Sequence, residues 1–131
     1  MKLQPVKNIF LFLIAIFITF TPLKTINALT PDWVDVPESP YGKQFWDTNN
    51  VQKNQDGSIR VFSKFVPKST TKITEDILYT MDIKCSEKLF RDIAVGTKDF
   101  NDFKNTNSEW QDPNGDVLIL GVIDQVCTFE K

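Results

Sequence analysis

Residues 76–95 read DILYTMDIKCSEKLFRDIAV, and the fold is decided there. From Asp76 to Cys85 the apolar groups Ile77, Tyr79, Met81, Ile83 and Cys85 occupy every second position, with Thr80, Asp82 and Lys84 between them. Side chains alternate across a strand, so this spacing predicts a strand with one apolar face. Ser86 to Lys88 has the length of a hairpin turn, and Leu89 to Val95 reads as the returning strand.

Toward the N-terminus, Ser58 to Val66 also alternates, with Ile59, Val61 and Phe65 on one side and Arg60, Phe62 and Lys64 on the other. This predicts a strand with one wetter face, entered through a tight Asp56-Gly57 turn whose glycine tolerates positive φ. Gln44 to Asp47 is a short strand, followed by polar residues Thr48 to Gln55; Pro67 to Glu75 is a polar loop. Residues 29–43 carry Pro31, Pro37 and Pro40 with Gly42, too many breakers for a helix or a central strand. They form an extended proline-rich arm, pinned to the body by Trp33, Val34 and Val36.

Toward the C-terminus, Gly96 to Glu109 is rich in Asn, Asp and Lys, with Phe100, Phe103 and then Trp110 as its large apolar groups. A long loop or an irregular edge strand is expected. Asp112-Pro113 reads as a helix start, because Asp accepts free backbone N–H groups and Pro at the first helical position loses no hydrogen bond. Ile119, Leu120, Ile123, Val126 and Cys127 then form one helical stripe, with Asp124 and Gln125 off it. A buried strand over Val117 to Ile123 is the alternative, and Gly121 weakens a helix by about 1 kcal/mol. The helix is preferred, so the fold class is α+β: an antiparallel sheet of four to six strands with a C-terminal helix packed on one face.

Residues 1–28 read as a secretory leader, with Lys2 and Lys7 before the apolar run Ile9 to Phe20 and small Ala28 at the expected cleavage position. The run is shorter than the roughly 20 helical residues that hydrocarbon requires, so no stable membrane anchor is expected. No cysteine lies near the cleavage position to accept a lipid. The organisation is then a signal peptide at 1–28, the arm at 29–43 and a single α+β domain at 44–131. In an oxidising compartment, Cys85 and Cys127 are most simply a disulfide at the end of the strand and in the helix. Their spacing lacks the C-x-x-C pattern of redox-active pairs.

Composition narrows the function. The chain has 15 basic and 17 acidic residues; Lys2, Lys7 and Lys24 leave with the leader, so the mature part holds 12 and 17, a net charge of −5. Nucleic acid is not expected as a partner, because binding it requires clustered cations. There is no histidine, which removes the commonest general base, the commonest zinc ligand and every Ser-His or Cys-His nucleophile. No enzyme activity and no cofactor are expected. Asp112, Asn114 and Asp116 alternate like the start of a calcium loop, but Val117 and Ile123 stand where the loop needs glycine and a bidentate acid. Asp99, Asp102 and Glu109 sit in a polar loop and read as solvated acids rather than an acid/base pair. Arg60 and Arg91, the only arginines, are expected to pair with Asp82 or Asp92 across the sheet.

Several spacings together resemble the surface-adhesin protein E family of small exported bacterial proteins. They are Phe45-Trp46-Asp47, the Asp56-Gly57 turn, the strand ending in Cys85, the C-x4-F-R pattern of Cys85, Phe90 and Arg91, Trp110, Pro113-Asn114-Gly115, and Cys127 in a terminal helix. The resemblance covers most of the mature chain. It implies a sheet flanked by a helix, one disulfide, a tendency to form homodimers, and binding of host extracellular proteins such as vitronectin and laminin.

The expected function is therefore an extracytoplasmic, non-enzymatic module that binds another protein or surface macromolecule. The alternative is a soluble accessory or assembly subunit of a periplasmic or lumenal complex. Candidate contact residues are Trp33, Tyr41, Phe100, Phe103 and Trp110, since large amphipathic rings dominate protein contacts. Tyr79, on the apolar face, is expected in the core.

Overall fold

In the computed structural model, which describes residues 29–68, 75–97, 100 and 109–129, the alternation of residues 76–95 becomes the last hairpin of a five-stranded sheet. The strands are β1 (Trp33–Asp35), β2 (Gly42–Lys53), β3 (Ile59–Pro67), β4 (Ile77–Lys84) and β5 (Leu89–Val95), followed by the helix α1 (Val117–Thr128). They lie in chain order, each antiparallel to the next. Residues 1–28, where a leader is expected, residues 69–74 and most of the Gly96 to Glu109 segment lie outside the described residues.

Register sets the core. Ile59, Val61, Ser63 and Phe65 stand opposite Ile83, Met81, Tyr79 and Ile77, so the predicted faces of β3 and β4 are shared. Trp46, Val61, Tyr79, Met81 and Ile83 from the sheet pack with Leu118, Val122, Ile123 and Val126 from α1. Burying each such side chain contributes about 1.5–3 kcal/mol, so the sheet face and the helix stripe stabilise each other. The Cys85–Cys127 disulfide, with Cα atoms 5.7 Å apart, fastens the end of β4 to the last turn of α1.

The helix begins later than Asp112-Pro113 suggests, which corrects that reading. Asp116 is the cap, its Oδ1 accepting from the N–H groups of Leu118 at 3.0 Å and Ile119 at 3.3 Å. Asp112 instead accepts from Asn114 N at 2.7 Å in a local turn. Asn114 and Gly115 both have positive φ, at 50° and 80°, so the chain cannot be helical until it has passed them. The buried stripe shifts accordingly: Leu118 and Val122 join Ile123 and Val126, while Ile119 and Cys127 are only partly buried. Gly121 has a packing reason to be glycine. A Cβ there would lie 2.9 Å from Cβ of Val36, the residue by which the arm enters the core.

Strand β2 is longer than the predicted Gln44 to Asp47 and absorbs most of the polar stretch. Its register against β3 shifts between Trp46 and Val51, marking a bulge. Bulged backbone needs partners outside the ladder, and the arm supplies them. Asp47 Oδ1 accepts from Asp32 N at 2.8 Å and Asn49 N at 2.9 Å. Asn50 Nδ2 donates to Asp47 Oδ2 and to Leu29 O, and Asn50 Oδ1 accepts from Leu29 N. The arm is thus a docked edge whose middle is β1. The Asp56-Gly57 signal does mark the β2–β3 turn: Gly57 has φ 85°, and Asn54 N donates to Ser58 O across a five-residue connection.

The second face of the sheet is drier than its alternation suggests. Phe62 is 3% exposed, and Thr80 and Asp82 are fully buried. Trp33 lies 5.4 Å from Phe62, ring to ring. Asp82 stands between Arg60 on β3 and Arg91 on β5, directly opposite each in the register. Arg60 Nε and Nη2 donate to its two oxygens at 2.7 and 3.0 Å, Arg91 Nη2 donates to Oδ2 at 2.9 Å, and Asn54 Nδ2 donates to Oδ1 at 3.1 Å. The cross-strand pairing expected of both arginines is present, and a buried acid is what draws them onto this face.

Candidate functional site

A groove of about 760 Å³ opens where the ends of β2 to β5 meet the start of α1. Its floor is sheet: Gln44, Phe65, Ile77, Tyr79 and Asp92. One wall is the Ser39-Pro40-Tyr41 turn, and the other is residues 114–119. The turn is built locally. Ser39 and Gly42 exchange backbone hydrogen bonds at 3.1 and 3.3 Å, and Ser39 Oγ accepts from Tyr41 N at 3.1 Å. Tyr41 O also accepts from Lys68 N, so the tyrosine is held out from a closed loop with 73% of its surface exposed. Val95 and Val117, at 66% and 57%, face the same groove. Five large apolar side chains are exposed among the described residues, and these three line one cleft.

Burial shifts the titration of two groups that line that cleft, Tyr79 and Asp92. Tyr79 is buried, which raises its pKa far above the usual phenol range; the Asp92 charge adds to this and a hydrogen bond with Gln44 partly opposes it. Sequence reasoning offered Asp92 only as a cross-strand partner for an arginine, not as a groove residue. Its register partner is Met81, so it lies on the core face of β5, where alternation calls for an apolar residue. Burial pushes its carboxyl pKa up. The available signal was the sequence Phe90, Arg91, Asp92: an acid two residues after a core-facing phenylalanine.

The sequence-proposed aromatic residues divide between places. Tyr41 is on the groove. Trp33 is on the opposite face, where Lys64 Nζ lies 4.8 Å from its ring and 4.9 Å from that of Phe45. Trp110 is on that same face over β4 and β5, beneath Lys84 Nζ at 4.6 Å and Arg91 Cζ at 4.3 Å. Stacked cations use the faces of both indoles internally. Phe100 is 7% exposed, and Phe103 lies outside the described residues. Asp99 and Asp102 also lie outside them, and Glu109 is exposed. Asp112 and Asp116 spend their oxygens on backbone N–H groups, and no cluster of three metal-ligating residues occurs among the described residues.

The sheet order, the terminal helix and the bridge from the end of β4 to α1 agree with a family comparison: the model of the Surface adhesin-E family matches residues 34–131. The chain belongs to this family. No curated protein and no solved structure matches it. Membership makes it an extracytoplasmic, non-enzymatic, adhesin-like binding module, and the Cys85, Phe90 and Arg91 spacing acquires a structural meaning. Cys85 closes the disulfide, Phe90 packs against the core and pairs with the Gln111 backbone, and Arg91 holds Asp82. No described helix is long and apolar enough to cross a membrane.

Proposed function

We propose that residues 1–28 direct export, that the chain is cleaved after Ala28, and that the remaining module binds a protein partner through the groove at the start of α1. The observation that carries this is the convergence of exposed Tyr41, Val95 and Val117 on one cleft. Scattered exposed apolar groups need no explanation, whereas gathered ones mark contact sites. Trp33 and Trp110, engaged by cations on the other face, serve the fold first. A mature charge of −5 supports a protein rather than a nucleic-acid partner.

The test places a photo-crosslinking amino acid at position 41, with Gln52, exposed near the other end of β2, as the control position. In the native cells and against extracellular host proteins, position 41 is expected to give a discrete adduct that position 52 does not. Equal or absent adducts at both positions would remove the groove as the contact surface. An adduct with an endogenous extracytoplasmic complex would assign the module to assembly instead of adhesion.

A further inference from the structure

We propose that the new amino terminus, the ammonium of Leu29 once residues 1–28 are removed, is bound by the chain itself in a seat built from Asn50 and Asp47, and that this closes the arm on the sheet. The inference rests on cleavage after Ala28 and is independent of what enters the groove.

Asn50, on β2, is 6% exposed and holds Leu29 by both backbone groups: its Oδ1 accepts from Leu29 N at 3.1 Å, and its Nδ2 donates to Leu29 O at 2.9 Å. One side-chain amide that grips the N–H and the C=O of a single residue recognises backbone rather than side chain, and Leu29 is accordingly left 58% exposed. Leu29 is also the residue that the leader reading puts first in the mature chain. Next to Asn50 lies Asp47, fully buried, whose Oδ2 accepts from Asn50 Nδ2. Asp47 Oδ1 accepts from the N–H groups of Asp32 and Asn49. These bonds satisfy the carboxylate with neutral donors, and no lysine or arginine among the described residues forms an ion pair with it.

Hydrolysis of the Ala28–Leu29 bond by an export-compartment peptidase places a positive charge at this spot. Water adds across the bond: the carbonyl carbon of Ala28 takes the oxygen and becomes a carboxylate, and Leu29 N leaves as an amine that is largely ammonium at neutral pH. The ammonium donates to Asn50 Oδ1 as the amide does, but the bond becomes charge-assisted, about twice as strong as a neutral one. Its charge then stands one side chain away from a buried carboxylate, where screening is weak. The rest of the arm follows from this seat. Asn49 Nδ2 donates to Thr30 O at 2.8 Å and Thr48 N donates to Asp32 O at 3.0 Å, after which the arm runs through Trp33 on Phe62, Val36 in the core and Tyr41 on the groove. Leader removal is thereby coupled to closure of the edge that carries one wall of the groove.

Intact mass of the exported chain reads its first residue, expected to be Leu29. Three chains are then compared by amide hydrogen exchange: one that begins at Leu29 with a free ammonium, the same chain acetylated at that nitrogen alone, and one that retains Ala28. Acetylation preserves the N–H that Asn50 receives and removes only the charge, so it isolates the ammonium without touching the core. Exchange at Asp32 and Thr48 is expected to be about tenfold faster in the acetylated and Ala28-bearing chains, with Phe90, which pairs with Gln111 at the far edge, unchanged. Asn50→Ala in the free chain is expected to speed the same amides and to abolish the effect of acetylation. Equal exchange in the free and acetylated chains overturns the docking while the cleavage reading stands. A difference that survives in Asn50→Ala overturns the seat, and a first residue other than Leu29 overturns the cleavage reading and the proposal together.

Discussion

Trp46 Nε1 donates to Gln125 Oε1 at 2.7 Å, joining the middle of β2 to the last turns of α1 across 79 residues of sequence. The indole is 2% exposed, so this is its hydrogen-bond partner within the core, and Gln125 Nε2 continues to Asp35 O at 3.1 Å. One side chain thereby ties β1, β2 and α1. Phe129 closes the site with its ring 5.2 Å from that of Trp46, edge to face.

Replacing Gln125 with Ala leaves the buried indole N–H without its partner. The expected loss is about 1–3 kcal/mol in urea unfolding, with little change in the denaturant slope. Gln125→Glu keeps an acceptor oxygen and should lose less.

Asp82 is expected to be the most damaging single polar position. Asp82→Asn leaves Arg60 and Arg91 facing a neutral group on a buried face, and removing one member of such a cluster costs about 3–5 kcal/mol. Burial alone would raise this carboxyl's pKa, but hydrogen bonds from Arg60, Arg91 and Asn54 outweigh it and hold the folded value below 3.8. The stabilising contribution is therefore present above the unfolded value and is lost as pH falls through the folded one. Acid titration of stability should show a steep loss below about pH 4 in the parent and a flatter one in Asp82→Asn.

Reduction should weaken the fold without redirecting it. The Cys85–Cys127 bridge spans 42 residues, for which chain entropy predicts about 4 kcal/mol. Cys85→Ser with Cys127→Ser is expected to unfold at correspondingly lower denaturant. Intact mass of exported protein should show no free thiol until reductant is added; two free thiols beforehand would contradict the bridge.

Asp92 runs in the opposite pH direction from Asp82. Its folded pKa is raised by burial, so the native state loses stability as pH rises from the unfolded value of 3.8 through the folded one. Asp92→Asn should raise the melting temperature at neutral pH, and the difference should vanish in acid where the parent carboxyl is protonated. Equal melting temperatures at neutral pH would mean that the interactions Asp92 makes within the protein offset the cost of its burial.

Strands β3, β4 and β5 were legible because an apolar residue at every second position has one simple cause, a single buried face. The disulfide was legible from an even pair of cysteines in a short chain read as exported, and α1 from its apolar stripe. Asp116 was obscured by Asp112, which has the same capping chemistry four residues earlier; only the left-handed pair Asn114-Gly115 separates them. The polar run after Asp47 resembled a loop because residues that satisfy a bulge and residues that face water have the same composition.

By itself, then, the sequence determined the antiparallel strands, the terminal helix, the cross-strand use of its two arginines and the exclusion of histidine chemistry. Each follows from local periodicity or from what residue types can do. Tertiary structure decided that Phe62, Thr80 and Asp82 on the second face are buried, that Gln125 bonds the buried indole of Trp46, and that Tyr41, Val95 and Val117 share a groove with Asp92. A buried polar group with partners looks like an exposed one along a chain, and convergence of residues 41, 92, 95 and 117 exists only after the register of the sheet and the seat of the helix bring them together.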